Sequence, residues 1–288
     1  MTKPKLSFWQ IWNLSFGFLG VQIGYSLQNS NTSSIFESLG ADVSHLSYFW
    51  LAAPLAGMIV QPIVGLFSDG TWTRWGRRIP YILGGSLISA LALVLMPNCP
   101  KLLAFAPLAM GAFILLFMDL SFNVTMQPFR ALVADMLDDS QKTQGYVVQT
   151  FLINLGAVVG AILPLVMTWL GVSDEAAPGH VSPHIAYSYY AGGAILLLTV
   201  LVTSFKTREY PPGEFARYNN SEEDAKPMSF VGLMRNVPGV MVRLGVTQFF
   251  SWAALFLMWT YLKPAITGVV TDHATGEVLS AGATQTWV

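Results

Sequence analysis

Seven stretches of this chain stay apolar for long enough to cross a lipid bilayer, which takes roughly 20 residues each. They run over about Phe8–Gln28, Leu46–Phe67, Tyr81–Met96, Leu102–Val124, Val147–Leu170, Tyr187–Phe205 and Val240–Leu262. The third is the shortest and can be extended by either flank. Backbone amides find no water in hydrocarbon, so such stretches span as helices, and the fold class is an all-α membrane protein in a lipid bilayer. Only 11% of the 288 residues are charged, against about 25% in soluble domains. A disordered chain and an ordinary cytosolic enzyme are therefore poor readings. The net charge of −1 suggests no polyanionic partner, hence no nucleic acid. Lys3 and Lys5 ahead of the first apolar run imitate a signal peptide. The run is too long for one, carries Asn13, Gln22 and Gln28, and lacks a small-residue cleavage site.

Orientation follows from the cations. Lys3, Lys5, Arg74, Arg77, Arg78, Arg130, Lys142, Lys206, Arg208, Arg217, Lys226, Arg235 and Arg243 fall on one side, and Lys101 and Lys263 on the other. This places the N-terminus in the cytoplasm. The four histidines, His45, His180, His184 and His273, then lie in outer loops without a helical His-x-x-x-His pair, so no metal site is expected. The single cysteine, Cys99, excludes an internal disulfide and a cysteine cage. No cofactor motif occurs, and neither His-Glu-x-x-His nor a nucleophile elbow is present, so the chain does not read as an enzyme.

The expected organisation is a six-helix transmembrane bundle over residues 1–206, a cytoplasmic linker over 207–236, and a seventh helix with an outer loop over 237–288. The linker holds Pro211, Pro212, Gly213 and the acidic run Glu222, Glu223, Asp224, which reads as a solvated connection. A lone seventh helix has no partner. It is therefore expected that further C-terminal helices are missing and belong to a second bundle.

Polar residues inside the spans carry the chemistry, because lipid offers them no hydrogen bonds. The first span sets Asn13, Gly17, Gly20, Gly24, Gln28 and Asn31 within a stripe roughly 80° wide. The second does the same with Pro54, Gly57, Gln61, Gly65 and Ser68. The fourth carries Asp119, Asn123, Gln127 and Arg130 on one narrow face. For the glycines, including Gly156 and Gly160 of the fifth span, close helix packing explains the pattern. For the amides and charges it does not. An ionised residue at a helix centre costs about 2.5–3.5 kcal/mol on insertion scales, so two on one face imply a polar cavity. Asp119 then reads as a carboxylate in a partly wet cavity, able to take and release a proton, with Arg130 as a switchable partner or substrate donor. The competing reading is a permanent ion pair that only fixes the fourth helix.

The loop between the second and third spans reads Ser68, Asp69, then Gly76, Arg77, Arg78, Ile79, Pro80. A basic inner loop is a topology signal, which explains Arg77 and Arg78. It does not explain Asp69, which can pair with them and latch one conformation of a two-bundle carrier.

Together these motifs resemble the major facilitator superfamily, and within it the sucrose/maltose:proton symporters of plants with their animal and bacterial relatives. The 2–3 loop is similar to the family's Ser-Asp…Gly-Arg-Arg-x-Pro signature, with Ile79 where a third Arg is common. The string Asp119, Asn123, Gln127, Pro128, Arg130, Ala131, Leu132, Ala134, Asp135 resembles the family's fourth helix almost position by position. The resemblance implies the family's N-terminal six-helix bundle plus the first helix of the C-terminal bundle. It implies proton coupling at Asp119, a substrate role for Arg130, and an inner gate containing Asp69 and Asp135 beside Arg77 and Arg78. In the seventh span, Gln248 and Trp252 are i, i+4 neighbours. They suit a sugar through an amide and a flat ring, while the aromatics there also suit a core or lipid face.

The resulting expectation is a proton-coupled symporter taking up a disaccharide such as sucrose or maltose by alternating access. Its partners are the sugar and the proton, with substrate contacts from Asn13, Gln28, Asn123, Gln127, Arg130, Gln248 and Trp252. A bacterial inner membrane is the expected location. The alternative is a cation-coupled carrier of another glycoside or small solute. A non-transporting sensor would need a signalling domain, and none is recognisable.

Overall fold

The first helix begins where its sequence provides a reciprocal cap. The Ser7 hydroxyl accepts from the Gln10 backbone N–H, and the Gln10 side chain accepts from the Ser7 N–H at 2.8 Å. Two of the otherwise orphaned donors at that end are satisfied in this way. From this cap, α1 (Phe8–Ser38) runs 31 residues, well past the expected end at Gln28. The chain continues through α2 (Leu46–Gly70), α3 (Ile79–Leu95), α4 (Cys99–Leu102), α5 (Pro107–Met136), α6 (Asp139–Trp169), α7 (Pro183–Lys206), α8 (Pro212–Asn219) and α9 (Gly239–Val269). The computed structural model describes residues 3–40, 46–103, 105–177, 179–219 and 237–269, with backbone alone at 46–56, 59, 219, 256 and 259–269. The acidic run at Glu222, Glu223 and Asp224 lies outside the described residues, as do His45, His273 and most of the outer stretch after the seventh span.

The short third span is extended at its C-terminal flank. Pro97 and Pro100 interrupt regular α-geometry there, and a 3₁₀ turn (Met96–Asn98) joins α3 to α4. The joined stretch Ile79–Leu102 then has 24 residues. Among the described residues, four stretches are long and apolar enough to cross a membrane by composition: Ile79–Leu102, Pro107–Met136, Asp139–Trp169 and Pro183–Lys206. α1 has the length, but its glycines and amides dilute its hydropathy. α5 starts on Pro107 and runs to Met136, so Asp119, Arg130 and Asp135 all share one rigid element. Asp138 caps α6, accepting from the Ser140 N–H at 3.2 Å.

The chain divides into two compact units, Met1–Pro227 and Met228–Val288. In the first, α1 is central and packs against α3, α5, α6 and α7. The glycines of α1 are the reason the helices come so close. A Cβ on Gly17 would stand 2.7 Å from the Phe129 ring and 3.0 Å from the Val200 backbone. On the neighbouring helix, Gly156 and Gly160 let α6 approach the Leu19 and Ile23 carbonyls, where a Cβ would meet oxygen at 2.5 and 2.6 Å. Ser26 Oγ closes this contact by donating to the Ala157 carbonyl at 2.7 Å. The Phe18 and Phe129 rings stack at 5.3 Å, inside a core that includes Phe36, Phe122, Leu93 and Leu196. α2 lies along α5. The second unit contributes α9, a single 31-residue helix.

Candidate functional site

α5 presents the polar string read from the sequence, but its members meet different surroundings. Asp119 is 2% exposed and Gln28 of α1 is fully enclosed. Gln28 Nε2 donates to Asp119 Oδ1. Asp119 Oδ2 and Gln28 Oε1 are buried without a hydrogen-bond partner among the described residues. One turn on, Asn123 Nδ2 donates to the Asp119 backbone carbonyl at 2.8 Å, and its Oδ1 accepts from Gln61 Nε2 of α2 at 2.7 Å. Asn123 and Gln127 are half-buried and Arg130 is exposed. The stripe therefore grades from enclosed to open along α5.

Two expectations change at this point. Eleven residues of α-helix rise about 16 Å, so Asp119 and Arg130 cannot pair directly. Among the described residues Arg130 has no ion pair, and Asp119 is held by an amide from α1 instead. The polar stripe of α1 is also displaced from an open cavity. Gly17, Gly20, Gly24, Gln28 and Asn31 are all buried in the packing seam. Asn13 is half-buried, and its backbone carbonyl accepts from Thr203 Oγ1 at 2.8 Å. The open side of α1 lies nearly opposite and carries Gln22, Tyr25, Asn29 and Ser33. On α6 an exposed polar row, Thr143, Tyr146, Thr150 and Asn154, was not singled out in the sequence. It was detectable there by the same helical spacing.

At the far end of α5 the four residues of the expected gate come together. Asp135 Oδ2 accepts from Arg77 Nη2 at 2.6 Å and from Arg78 Nε at 2.9 Å. Arg78 also reaches Asp69 Oδ1 at 2.5 Å and donates to Ser68 Oγ at 2.6 Å. The Arg78 side chain is almost wholly buried, so its charge needs this full set of partners.

Glu209 joins the cluster and was missed in the sequence, because it lies in the stretch read as a solvated linker. α3 begins without a side-chain cap of its own, since Arg78 occupies the N-cap. The Glu209 carboxylate fills that role from a distance. It accepts from the backbone N–H groups of Arg77 at 3.0 Å, Arg78 at 2.9 Å and Ile79 at 2.9 Å. Burial pushes the Glu209 carboxyl above its ordinary range, and the three N–H donors oppose that shift. Gly76 permits the approach. Its φ of +117° disfavours a side chain, and a Cβ would stand 2.5 Å from Glu209 Oε1. Phe215 of α8 lies on the Arg77 guanidinium, 4.1 Å from ring centre. Asp69, Thr71, Arg77, Asp135, Glu209 and Phe215 help line a cleft of about 190 Å³ there.

In the second unit, Gln248 and Trp252 occur one turn apart on α9, as the i, i+4 spacing requires. The side chains of Phe256, Trp259, Thr260 and Tyr261 lie outside the described residues.

Residues 35–271 match the family model described as MFS/sugar transport protein. A sucrose transport protein of Oryza sativa subsp. japonica is 27% identical over 267 residues, covering 83% of this chain and 49% of its own length. The general alpha-glucoside permease of Schizosaccharomyces pombe is 26% identical over 282 residues, covering 91% and 48%. A sucrose transport protein of Arabidopsis thaliana is 27% identical over 259 residues, covering 82% and 50%. The chain spans about half the length of the curated relatives it matches. With its family model spanning most of a chain whose helices form the expected six-helix bundle, this multi-pass membrane protein, not an enzyme, belongs to the MFS/sugar transport protein family.

Proposed function

We propose that the chain is part of a proton-coupled carrier that takes up an α-glucosidic disaccharide, sucrose or maltose, by alternating access. The observation that carries this reading is the graded string on α5. An enclosed carboxylate at Asp119 is followed on the same stripe by Asn123, Gln127 and Arg130, each more open than Asp119. The enclosed acid suits a proton, and the open amides and guanidinium suit sugar hydroxyls. Relatives named for sucrose and for alpha-glucosides support the sugar class, since sucrose and maltose share an α-glucosyl ring. Gln248 and Trp252 of the second unit would also contact the sugar, through an amide and a flat ring. Asn13 would line its edge, and Gln28 would hold Asp119 rather than touch the sugar.

In this reading residues 1–206 form the N-terminal bundle, 207–236 the cytoplasmic connection and 237–288 the start of the second bundle. Asp69, Arg77, Arg78 and Asp135 would close the inner gate. The N-terminus would be cytoplasmic and the membrane a bacterial inner membrane. The test is uptake of labelled sucrose and maltose by vesicles holding the complete protein, with and without a pH gradient. Asp119→Asn is expected to abolish accumulation above equilibrium while sparing downhill entry. Normal accumulation by that variant would end the coupling assignment. A carrier driven by another cation would accumulate sugar without a pH gradient when that cation's gradient is supplied.

A further inference from the structure

The open side of α1 raises a question that the α5 string does not answer. Tyr25 and Asn29 lie on that side, one turn apart, with Tyr25 half-buried and Asn29 exposed. Neither packs in the glycine seam of the same helix. An exposed amide beside a phenol is costly in hydrocarbon, so this side of α1 faces water or protein. Its direction is fixed by a second observation. The Tyr25 ring meets that of Phe122, which lies between Asp119 and Asn123 on α5, and this contact places Tyr25 beside the α5 string. Its ring is also held. Phe122, fully buried, meets it edge-on at 5.7 Å and 80°, and Asn29 follows one turn on along the same side of α1.

A fixed aromatic ring with an amide at its rim is what an uncharged, hydroxylated ring needs. The apolar face of a pyranose covers the aromatic ring, and adjacent hydroxyls reach the amide and the phenol. We propose that Tyr25 and Asn29 form a sugar-contacting pair that recognises the α-glucosyl ring opposite Arg130. This rests on the carrier reading above.

The experiment uses the complete protein in proteoliposomes and measures initial uptake of sucrose and of maltose against concentration. Tyr25→Leu is expected to raise the KM for both sugars about tenfold, with the maximal rate little changed. Tyr25→Phe keeps the ring and is expected to raise KM by only about two- to threefold. Asn29→Ala is expected to fall between them. An unchanged KM in Tyr25→Leu overturns the pair, as does a change confined to one of the two sugars, which would place the other ring there. Equal loss of maximal rate in Tyr25→Leu and Tyr25→Phe at constant KM also overturns it. If Tyr25→Leu does not fold, the KM values of Tyr25→Phe and Asn29→Ala decide. Failure of the unaltered protein to take up either sugar overturns the carrier reading itself, a result separate from all of these.

Discussion

Glu209→Ala is the most informative single change outside the spans. The carboxylate serves three backbone donors at the start of α3, and those of Arg78 and Ile79 are buried. A buried donor that loses its acceptor costs about 1–3 kcal/mol. The Arg77 N–H is only partly buried, so water recovers much of that third bond. Against this stands the cost of burying the carboxylate, which its raised titration range reflects. The net loss on truncation is then about 2–4 kcal/mol, or roughly 5–15 °C in melting temperature for a unit of this size. The chain provides its own reporter. Cys99 is its single cysteine and is fully buried, so a thiol-reactive fluorophore in detergent reads unfolding directly. Glu209→Gln keeps one acceptor oxygen and should melt between the parent and the Ala variant. If Glu209→Ala melts with the parent, the carboxylate does not cap α3, and its contacts with the Gly-Arg-Arg loop carry no weight.

The same thiol assay tests two further expectations. Gly160→Leu drives side-chain atoms into the Ile23 carbonyl of α1, so it should destabilise the bundle by about 1–3 kcal/mol or more. Gly65→Ala, where a Cβ meets nothing within 4 Å, should be close to neutral. Equal melting of the two variants would show that the α1–α6 contact is not close. The second expectation concerns pH. Glu209 is raised when folded, so the folded state holds its proton more tightly than the unfolded state does. Its stabilising contribution is full below the ordinary glutamate range and is lost as pH rises through the folded value. Glu209→Gln should therefore lack the fall in melting temperature that the parent shows as pH rises through the folded Glu209 value. An identical slope in both proteins would remove Glu209 from that profile.

The helices were legible because hydrocarbon imposes a length and an apolar composition that any sequence must show. The α5 string was legible for a related reason. Asp119, Asn123, Gln127 and Arg130 are too costly in lipid to be incidental, and their spacing fixes a shared stripe. The orientation of α1 was not legible. Its glycines and amides form one clear stripe, and Gln22, Tyr25, Asn29 and Ser33 form another nearly opposite. Periodicity reports that both exist and gives no means of choosing which is packed. Packing against α6 and α7 decides it, and those contacts are long-range. Glu209 escaped for the same reason. The only local hint is that α3 begins at Arg78 with no side chain able to cap it, and the residue that supplies the acceptor is 131 positions away.

The enclosure of Asp119 constrains how the proposed coupling would work. A carboxylate that is 2% exposed and bound to Gln28 has little access to bulk water in this conformation. If it carries the proton, exchange requires α1 to move away from α5 or to bend. α1 has a place at which bending is cheap. Thr203 Oγ1 donates to the Asn13 carbonyl at 2.8 Å and accepts from the Gly17 N–H at 2.7 Å. One hydroxyl thus bonds both partners of an i, i+4 backbone pair, and a side chain inserted there is a known cause of kinks. A bend there would lie about three turns before Gln28, so a small change of angle would be magnified into a larger displacement at the amide. On this argument the glycine seam does more than pack. It holds α1 closely enough to enclose Asp119, while Thr203 marks where the helix would bend to release it.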